Sequence, residues 1–292
     1  MLQNFKGTGV AVVTPFDNKG NIDFVSFEKL IEHIIIGGCE YIVAMGTTGE
    51  VPTLTAKEKE DILSFVIKIV NKRCGVVVGI GGYSTQDVID RIKSTSFDGV
   101  SGLLSVCPYY NKPQQEGIFQ HFKTIAETSP VPVIIYNVPG RTGINIIADT
   151  TLRLAHEVEN IVAIKEASAN FMQIMEIVKF KPIGFTVISG DDALTLPLMV
   201  CGVEGAISVV ANAYPKLFSD MVRYALEGDY KKASVIHYEL LDFCNALFID
   251  GSPAGIKASL EIMGLIKNNL RLPLISANEK TIQLLDTIMN TI

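Results

Sequence analysis

A lysine closes an apolar run, Ile161-Val162-Ala163-Ile164-Lys165-Glu166. The run reads as a short strand apolar enough to be buried on both faces. An amine in such surroundings is costly to keep charged. An unperturbed lysine has a pKa of about 10.4, so roughly one in 2,500 is a free base at pH 7. Lowering that value to about 7–8 withdraws about 4 kcal/mol of charge stabilisation, which burial can do, and the product is a nucleophile toward ketones. The plainer reading of the same run is a strand-end lysine that reaches water or pairs with Glu166.

Other segments carry residues suited to act with an amine. Gly46-Thr47-Thr48-Gly49-Glu50 follows an apolar run, and its backbone N–H groups and two hydroxyls can hold a carboxylate. It also fits an ordinary strand-to-helix turn capped by threonine. Cys107-Pro108-Tyr109-Tyr110-Asn111-Lys112-Pro113 puts adjacent tyrosines on different sides, so at least one is exposed, for chemistry or for packing at an interface. Tyr136 ends a strand-like run before Asn137-Val138-Pro139-Gly140-Arg141-Thr142-Gly143. A held tyrosine hydroxyl can shuttle a proton, and Arg141 can grip a second carboxylate in bidentate fashion. Ser189-Gly190-Asp191-Asp192 is read first as a helix cap, and Gly205-Ala206-Ile207-Ser208 ends the series. Gly79-Ile80-Gly81-Gly82-Tyr83-Ser84 lacks the third glycine of a dinucleotide loop and the lysine of a phosphate loop, so a nucleotide is not expected. An amine, a hydroxyl-rich cradle, a tyrosine and an arginine suit class I aldol chemistry on a 2-oxo acid.

Those segments punctuate a regular alternation. Strand-like runs fall at 8–14, 41–45, 75–80, 100–106, 132–136, 161–165, 184–189 and 205–209. Stripes of helical spacing lie between them, among them Phe27-Leu30-Ile31-Ile34, Ile62-Phe65-Val66-Ile69 and Phe171-Ile174-Met175-Val178. Eight such units imply a parallel sheet, closed as an α/β (β/α)8 TIM barrel, with a doubly wound sheet as the alternative. After about residue 228 the strand signal stops, and 230–248, 252–263 and 276–289 read as helices. The expected organisation is a catalytic barrel over 1–228 and a C-terminal helical appendage over 229–292 packed on it. In such a barrel the chemistry sits at the C-terminal strand ends, where the polar segments fall.

The composition fits an apolar soluble protein. Of 292 residues, 48% are hydrophobic and 19% charged, as expected when strands are buried on both faces or subunits hide surface. The net charge of −6 without a basic cluster argues against nucleic acid. No apolar run reaches the roughly 18 residues of a membrane span, and the start does not read as a leader, so a cytoplasmic protein is expected. The five cysteines lack paired spacing and read as reduced core residues. The four histidines lack ligand spacing and are expected on helix surfaces, so no metal is expected.

Taken together, GTTGE at 46–50, PYYNKP at 108–113, YNVPGRT at 136–142, IKE at 164–166, SGDD at 189–192 and GAISV at 205–209 resemble one family over nearly the whole chain. It is the family of pyruvate-dependent class I aldolases that includes dihydrodipicolinate synthases and N-acetylneuraminate lyase. The resemblance implies an imine between Lys165 and pyruvate, with no separate cofactor. It implies that Tyr136 donates and accepts protons, with Thr47 and Tyr110 as relay partners and Tyr110 reaching in from a neighbouring subunit. It implies that Thr48 contacts the pyruvate carboxylate, that the Ile207 carbonyl lies near pyruvate, and that Arg141 receives the carboxylate of aspartate semialdehyde. The assembly implied is a dimer of dimers.

The second threonine of GTTGE, with Arg141, follows the pattern of the family's synthases. That pattern implies condensation of pyruvate with L-aspartate 4-semialdehyde to 4-hydroxy-tetrahydrodipicolinate, toward lysine and diaminopimelate. Another pyruvate aldolase, an N-acetylneuraminate lyase or a 2-keto-3-deoxy sugar acid aldolase, is the alternative. Some members are inhibited by lysine through histidines, an asparagine and a glutamate. Ala56, Lys59, Tyr83 and Asp87 stand at those positions here, which implies weak or absent lysine inhibition.

Overall fold

β-Branched, uncharged runs such as Val76-Val77-Val78 suit strands covered on both faces, and they form the staves of a barrel. The structure, a computed structural model, describes residues 5–292. The opening residues 1–4, part of the stretch read as no leader, lie outside the described residues. In chain order the elements are β1 (Gly7–Ala11), α1 (Phe24–Ile36), β2 (Tyr41–Ala44), α2 (Ala56–Val70), β3 (Gly75–Gly79), α3 (Thr85–Ser94), β4 (Gly102–Val106) and α4 (Gln115–Thr128). Then come β5 (Val133–Asn137), the short α5 (Pro139–Thr142), α6 (Ala148–Glu157), β6 (Ile161–Glu166), α7 (Phe171–Phe180), β7 (Thr186–Ser189), α8 (Thr195–Val200) and β8 (Gly205–Ser208). Helices α9 (Pro215–Leu226), α10 (Tyr230–Ala246), α11 (Ala254–Ile262) and α12 (Glu279–Met289) follow. The strands pair in parallel in sequence order, and β8 closes on β1. The closed (β/α)8 barrel replaces the doubly wound alternative.

Each strand expected from sequence is present, and β1 ends earlier than expected. Beyond Ala11 the Val13 N–H is taken by the Asn212 side chain at 3.2 Å, which stops the ladder. Helix starts are capped as their sequences indicate. Thr55 and Glu58 form a reciprocal capping box on α2, and Asp23, Ser84, Asn170, Asp229 and Asn278 cap α1, α3, α7, α10 and α12.

Two apolar layers result. One lies between strands and helices, and the other fills the barrel with Tyr41, Val43, Val77, Leu104, Ile134, Tyr136, Ala163, Ile188 and Ile207. Side chains alternate faces along a strand. On β5, Ile134 and Tyr136 therefore point inward, and Val133, Ile135 and Asn137 outward. The pairing of β5 with β6 slips by one residue: Val133 pairs with Ile161, but Ile134 pairs with Ala163. This bulge leaves Val162 as the extra residue and sets the phase of the strand beyond it.

Two of the histidines expected on helix surfaces are buried instead, His121 at 4% and His237 at 8% exposure. His121 falls on the Ile118–Phe122–Ile125 stripe of α4, so helical periodicity carries it inward. Its Nδ1 lies 2.8 Å from the Thr85 hydroxyl, and burial lowers its pKa to about 4, leaving it neutral. Cys39, Cys107 and Cys244 are buried core thiols, and burial raises the pKa of each.

Tyr41 plugs the N-terminal end of the barrel, with its hydroxyl 3.3 Å from the Phe5 carbonyl. Gly9, its partner on β1, leaves the room: a Cβ there would stand 2.1 Å from the Tyr41 ring. Gly9→Ala is expected to destabilise the fold by about 1–3 kcal/mol through overpacking, read as a lower midpoint in urea unfolding.

Candidate active site

The site is built where β2, β5 and β6 end. Gly46 leaves β2 in an extended conformation, and Thr47–Gly49 make one tight helical turn. Glu50 then adopts a left-handed conformation at φ 56°. The Thr14 hydroxyl donates to the Gly49 carbonyl at 2.7 Å, tying the turn to the segment after β1. Thr47 is exposed toward the cavity and Thr48 is buried beneath it.

β5 and β6 supply the central pair. Tyr136 and Lys165 are directly paired in register, and both point into the barrel. Lys165 is 6% exposed, and its Nζ lies 4.4 Å from the centroid of the Tyr136 ring. Gly190, after β7, keeps the space beside it clear: a Cβ there would meet Lys165 Cε at 2.9 Å and Ala167 Cβ at 2.7 Å.

The pairing of Lys165 with Glu166, the plainer sequence reading, does not form. The two side chains leave opposite faces of β6. Glu166 instead accepts from Asn137 Nδ2 at 3.0 Å, Gln173 Nε2 at 3.0 Å and the Ser168 N–H at 2.9 Å. Asn137 is further held by Asn145, at 2.8 Å, and by the Ile146 N–H. Burial raises the Glu166 pKa, and these donors oppose the shift by stabilising its anion. Gln173 and Asn145 are positioning groups that sequence patterning did not reveal.

Arg141 sits on α5, started by Pro139 at a position where a missing N–H costs nothing. Its backbone N–H returns to the Val138 carbonyl at 2.9 Å. The side chain is exposed and makes no ion pair among the described residues. Together with Thr47, Tyr136, Tyr109 and Thr142 it lines a cavity of about 670 Å³ at the C-terminal end of the barrel.

Tyr110 stays outside. It is 87% exposed, with φ 69°, and its ring is 6.3 Å from that of Tyr83. Tyr83 also meets Tyr109 edge-on at 5.3 Å. One tyrosine of the pair thus faces its own cavity and the other faces away. Ile207 lies in the barrel interior, paired with Gly9 on β1.

The two aspartates divide. Asp191 accepts from the Ala193 and Leu194 N–H groups before α8, the expected capping role. Asp192 does not cap that helix. It is buried and accepts from the Val209 and Val210 N–H groups at 3.0 and 3.2 Å, bracing the turn after Ile207.

The geometry therefore brings Tyr136, Thr47 and Arg141 to one mouth, with Lys165 buried against Tyr136 and Thr48 and Ile207 buried in the surrounding walls. The model of the dihydrodipicolinate synthetase family matches residues 4–292. The chain belongs to this family. A 4-hydroxy-tetrahydrodipicolinate synthase of Parabacteroides distasonis is 50% identical over 272 residues, 93% of this chain and 92% of the relative. The crystal structure of dihydrodipicolinate synthase from Aquifex aeolicus superposes with a TM-score of 0.95 at 41% identity, covering 98% of this chain and 97% of that one. A structure described as a monomeric dihydrodipicolinate synthase variant matches with a TM-score of 0.96 at 40% identity, covering 99% and 97%. These relatives favour the synthase reading over the lyase and sugar-acid aldolase alternatives.

In this member of the dihydrodipicolinate synthetase family, Glu166 is the acceptor at the centre of the outer brace. Glu166→Ala strands the Asn137 and Gln173 amides. It is expected to cost at least about 2 kcal/mol in urea unfolding.

Proposed function

We propose that the protein condenses pyruvate with L-aspartate 4-semialdehyde through an imine on Lys165, giving 4-hydroxy-tetrahydrodipicolinate. The observation that carries this reading is the inward Lys165 against the Tyr136 ring, at 4.4 Å, beside a cavity that also holds Thr47 and Arg141. The Lys165 amine adds to C2 of pyruvate and water leaves. The protonated imine draws electrons from the C3–H bond, and loss of that proton gives an enamine. The enamine C3 attacks the aldehyde carbon of the semialdehyde, whose oxygen takes a proton. The amino group of the semialdehyde then attacks the imine carbon, closes the ring and releases the lysine.

In this scheme Tyr136 carries protons with Thr47, and Tyr110 completes the relay from a neighbouring subunit. The outward direction of Tyr110 supports that role, since it leaves its own cavity for another. Thr48 holds the pyruvate carboxylate, the Ile207 carbonyl lies near bound pyruvate, and Arg141 takes the carboxylate of the second substrate. The lysine is the only covalent catalyst, so no cofactor or metal enters. We propose a dimer of dimers as the assembly and the cytoplasm as its location. The same reading divides the chain into a catalytic barrel, up to 228, and a helical region packed on it, 229–292.

Borohydride added with pyruvate is expected to inactivate the enzyme and label the peptide carrying Lys165. Lys165→Ala should lower kcat at least about a thousandfold. Inactivation with Lys165 unlabelled would sink the mechanism. Arg141→Ala is expected to raise KM for the semialdehyde about ten- to a hundredfold and to leave KM for pyruvate nearly unchanged.

Feedback by lysine is expected to be weak or absent. Lys59 and Arg91 line one side of the same cavity, along with Tyr83, Asp87 and Asp90. Burial and the nearby Arg91 both lower the pKa of Lys59, and neither cation has a carboxylate partner within ion-pair distance among the described residues. A lysine ligand would meet these two positive groups beside Asp87 and Asp90. Half-inhibition at low-millimolar lysine in a steady-state assay would contradict this.

A further inference from the structure

The last residue of the GTTGE turn has a partner far along the chain. Glu50 and Lys257 form an ion pair with both side chains fully buried. Lys257 lies on α11, beyond the barrel, and its Nζ also donates to the Asn269 carbonyl at 2.8 Å. The other oxygen of Glu50 accepts the Arg271 N–H at 3.1 Å. Arg271 extends the clamp, donating to the Thr53 carbonyl at 3.0 Å and pairing with Glu58 of α2. The Phe16 ring lies against both cations, its centroid 4.2 Å from Lys257 Nζ and 4.4 Å from Arg271 Cζ.

This arrangement is costly unless it does something. A non-glycine residue is disfavoured in the left-handed region, and Glu50 is held there. A buried ion pair is weak evidence for stability, since apolar residues often serve as well. Its placement is specific, however: Glu50 is joined by its N–H to the Thr47 carbonyl at 3.2 Å. We propose that Lys257, acting through Glu50, is a positioning residue for the carboxylate cradle, locking the turn that presents Thr47 and Thr48 to pyruvate. This rests on the cradle role given to those threonines above.

The charge state of the lock follows from its surroundings. Burial lowers the Lys257 pKa to about 8, with Glu50 pulling upward and Arg271 downward. The charged groups facing it are Glu50 and Arg271, and Arg271 is itself taken up by Glu58. The remaining neighbours described are the Asn269 carbonyl and the Phe16 ring. Below about pH 8 the ammonium holds Glu50. Above it the neutral amine leaves a buried carboxylate without its cation, and the turn loosens.

The test compares wild type, Glu50→Gln/Lys257→Met and Lys257→Arg, with pyruvate KM and kcat measured across pH and thermal unfolding as the check on folding. Wild-type KM for pyruvate is expected to rise above about pH 8. The double variant should show KM raised about tenfold at pH 7, kcat within about threefold, and no such limb. Lys257→Arg keeps its charge, so its KM should stay flat through that range. If the double variant does not fold, the wild-type and Lys257→Arg profiles decide. Superimposable pH profiles, or a folded double variant with wild-type KM, would overturn the proposal. Thr48→Val is run alongside. If its pyruvate KM is unchanged, the cradle reading itself fails; if its KM rises while the double variant matches wild type, only the positioning role fails.

Discussion

The register between β5 and β6 governs the site. It sets Tyr136 beside Lys165 on the inner face and Asn137 beside Glu166 on the outer face. Among the described residues the inner pair makes no side-chain hydrogen bond, which leaves it open to a ligand. The outer pair is saturated with them and fixes the strands. A barrel strand lets one backbone segment serve both purposes because adjacent residues leave by opposite doors. A carboxylate on the inner face beside Lys165 would favour an ammonium and oppose nucleophilic attack. The fold avoids that by turning Glu166 away.

Buried polar groups follow the same division. Glu166, Asp192 and Glu50 all lie behind the cavity wall, each occupied by N–H donors or a cation. Each anchors one loop: Glu166 the start of α7, Asp192 the turn after β8, Glu50 the turn after β2. Hydrogen-bonded polar groups in a low-dielectric interior specify one geometry at the expense of net stability. The loops at the top of the barrel are therefore irregular in path and held at few, strong points.

Much of this was legible in the sequence, for physical reasons that differ by residue. The alternation of apolar runs with helical stripes gave the barrel, because strands covered on both faces admit few polar residues. Lys165, Tyr136, Thr47 and Arg141 stood out because polar groups at strand ends interrupt that pattern. Gln173 and Asn145 did not, since an amide on a helix or loop looks like ordinary surface until the tertiary fold buries it. Lys257 sits in Ala254-Gly255-Ile256-Lys257-Ala258, an apolar stretch much like that of Lys165, yet its partner is distant in sequence and no local spacing points to it. His121 and His237 were misplaced because a histidine on a helical stripe is equally at home on either side of the boundary. Asp192 was mistaken for a cap because the N–H groups it accepts from lie in the loop after the next strand.

The slip at Val162 has a consequence for how the chain encodes its nucleophile. All residues from Ile161 to Ile164 are apolar, so nothing in their identity says which face each should take. Were the same residues paired regularly from Ile161, without the bulge, the phase of the strand would invert, presenting Glu166 to the cavity and Lys165 to the helices. The choice between an amine and a carboxylate at the heart of the barrel is thus stored in whether the ladder skips one residue, rather than as a chemical preference of any one of them.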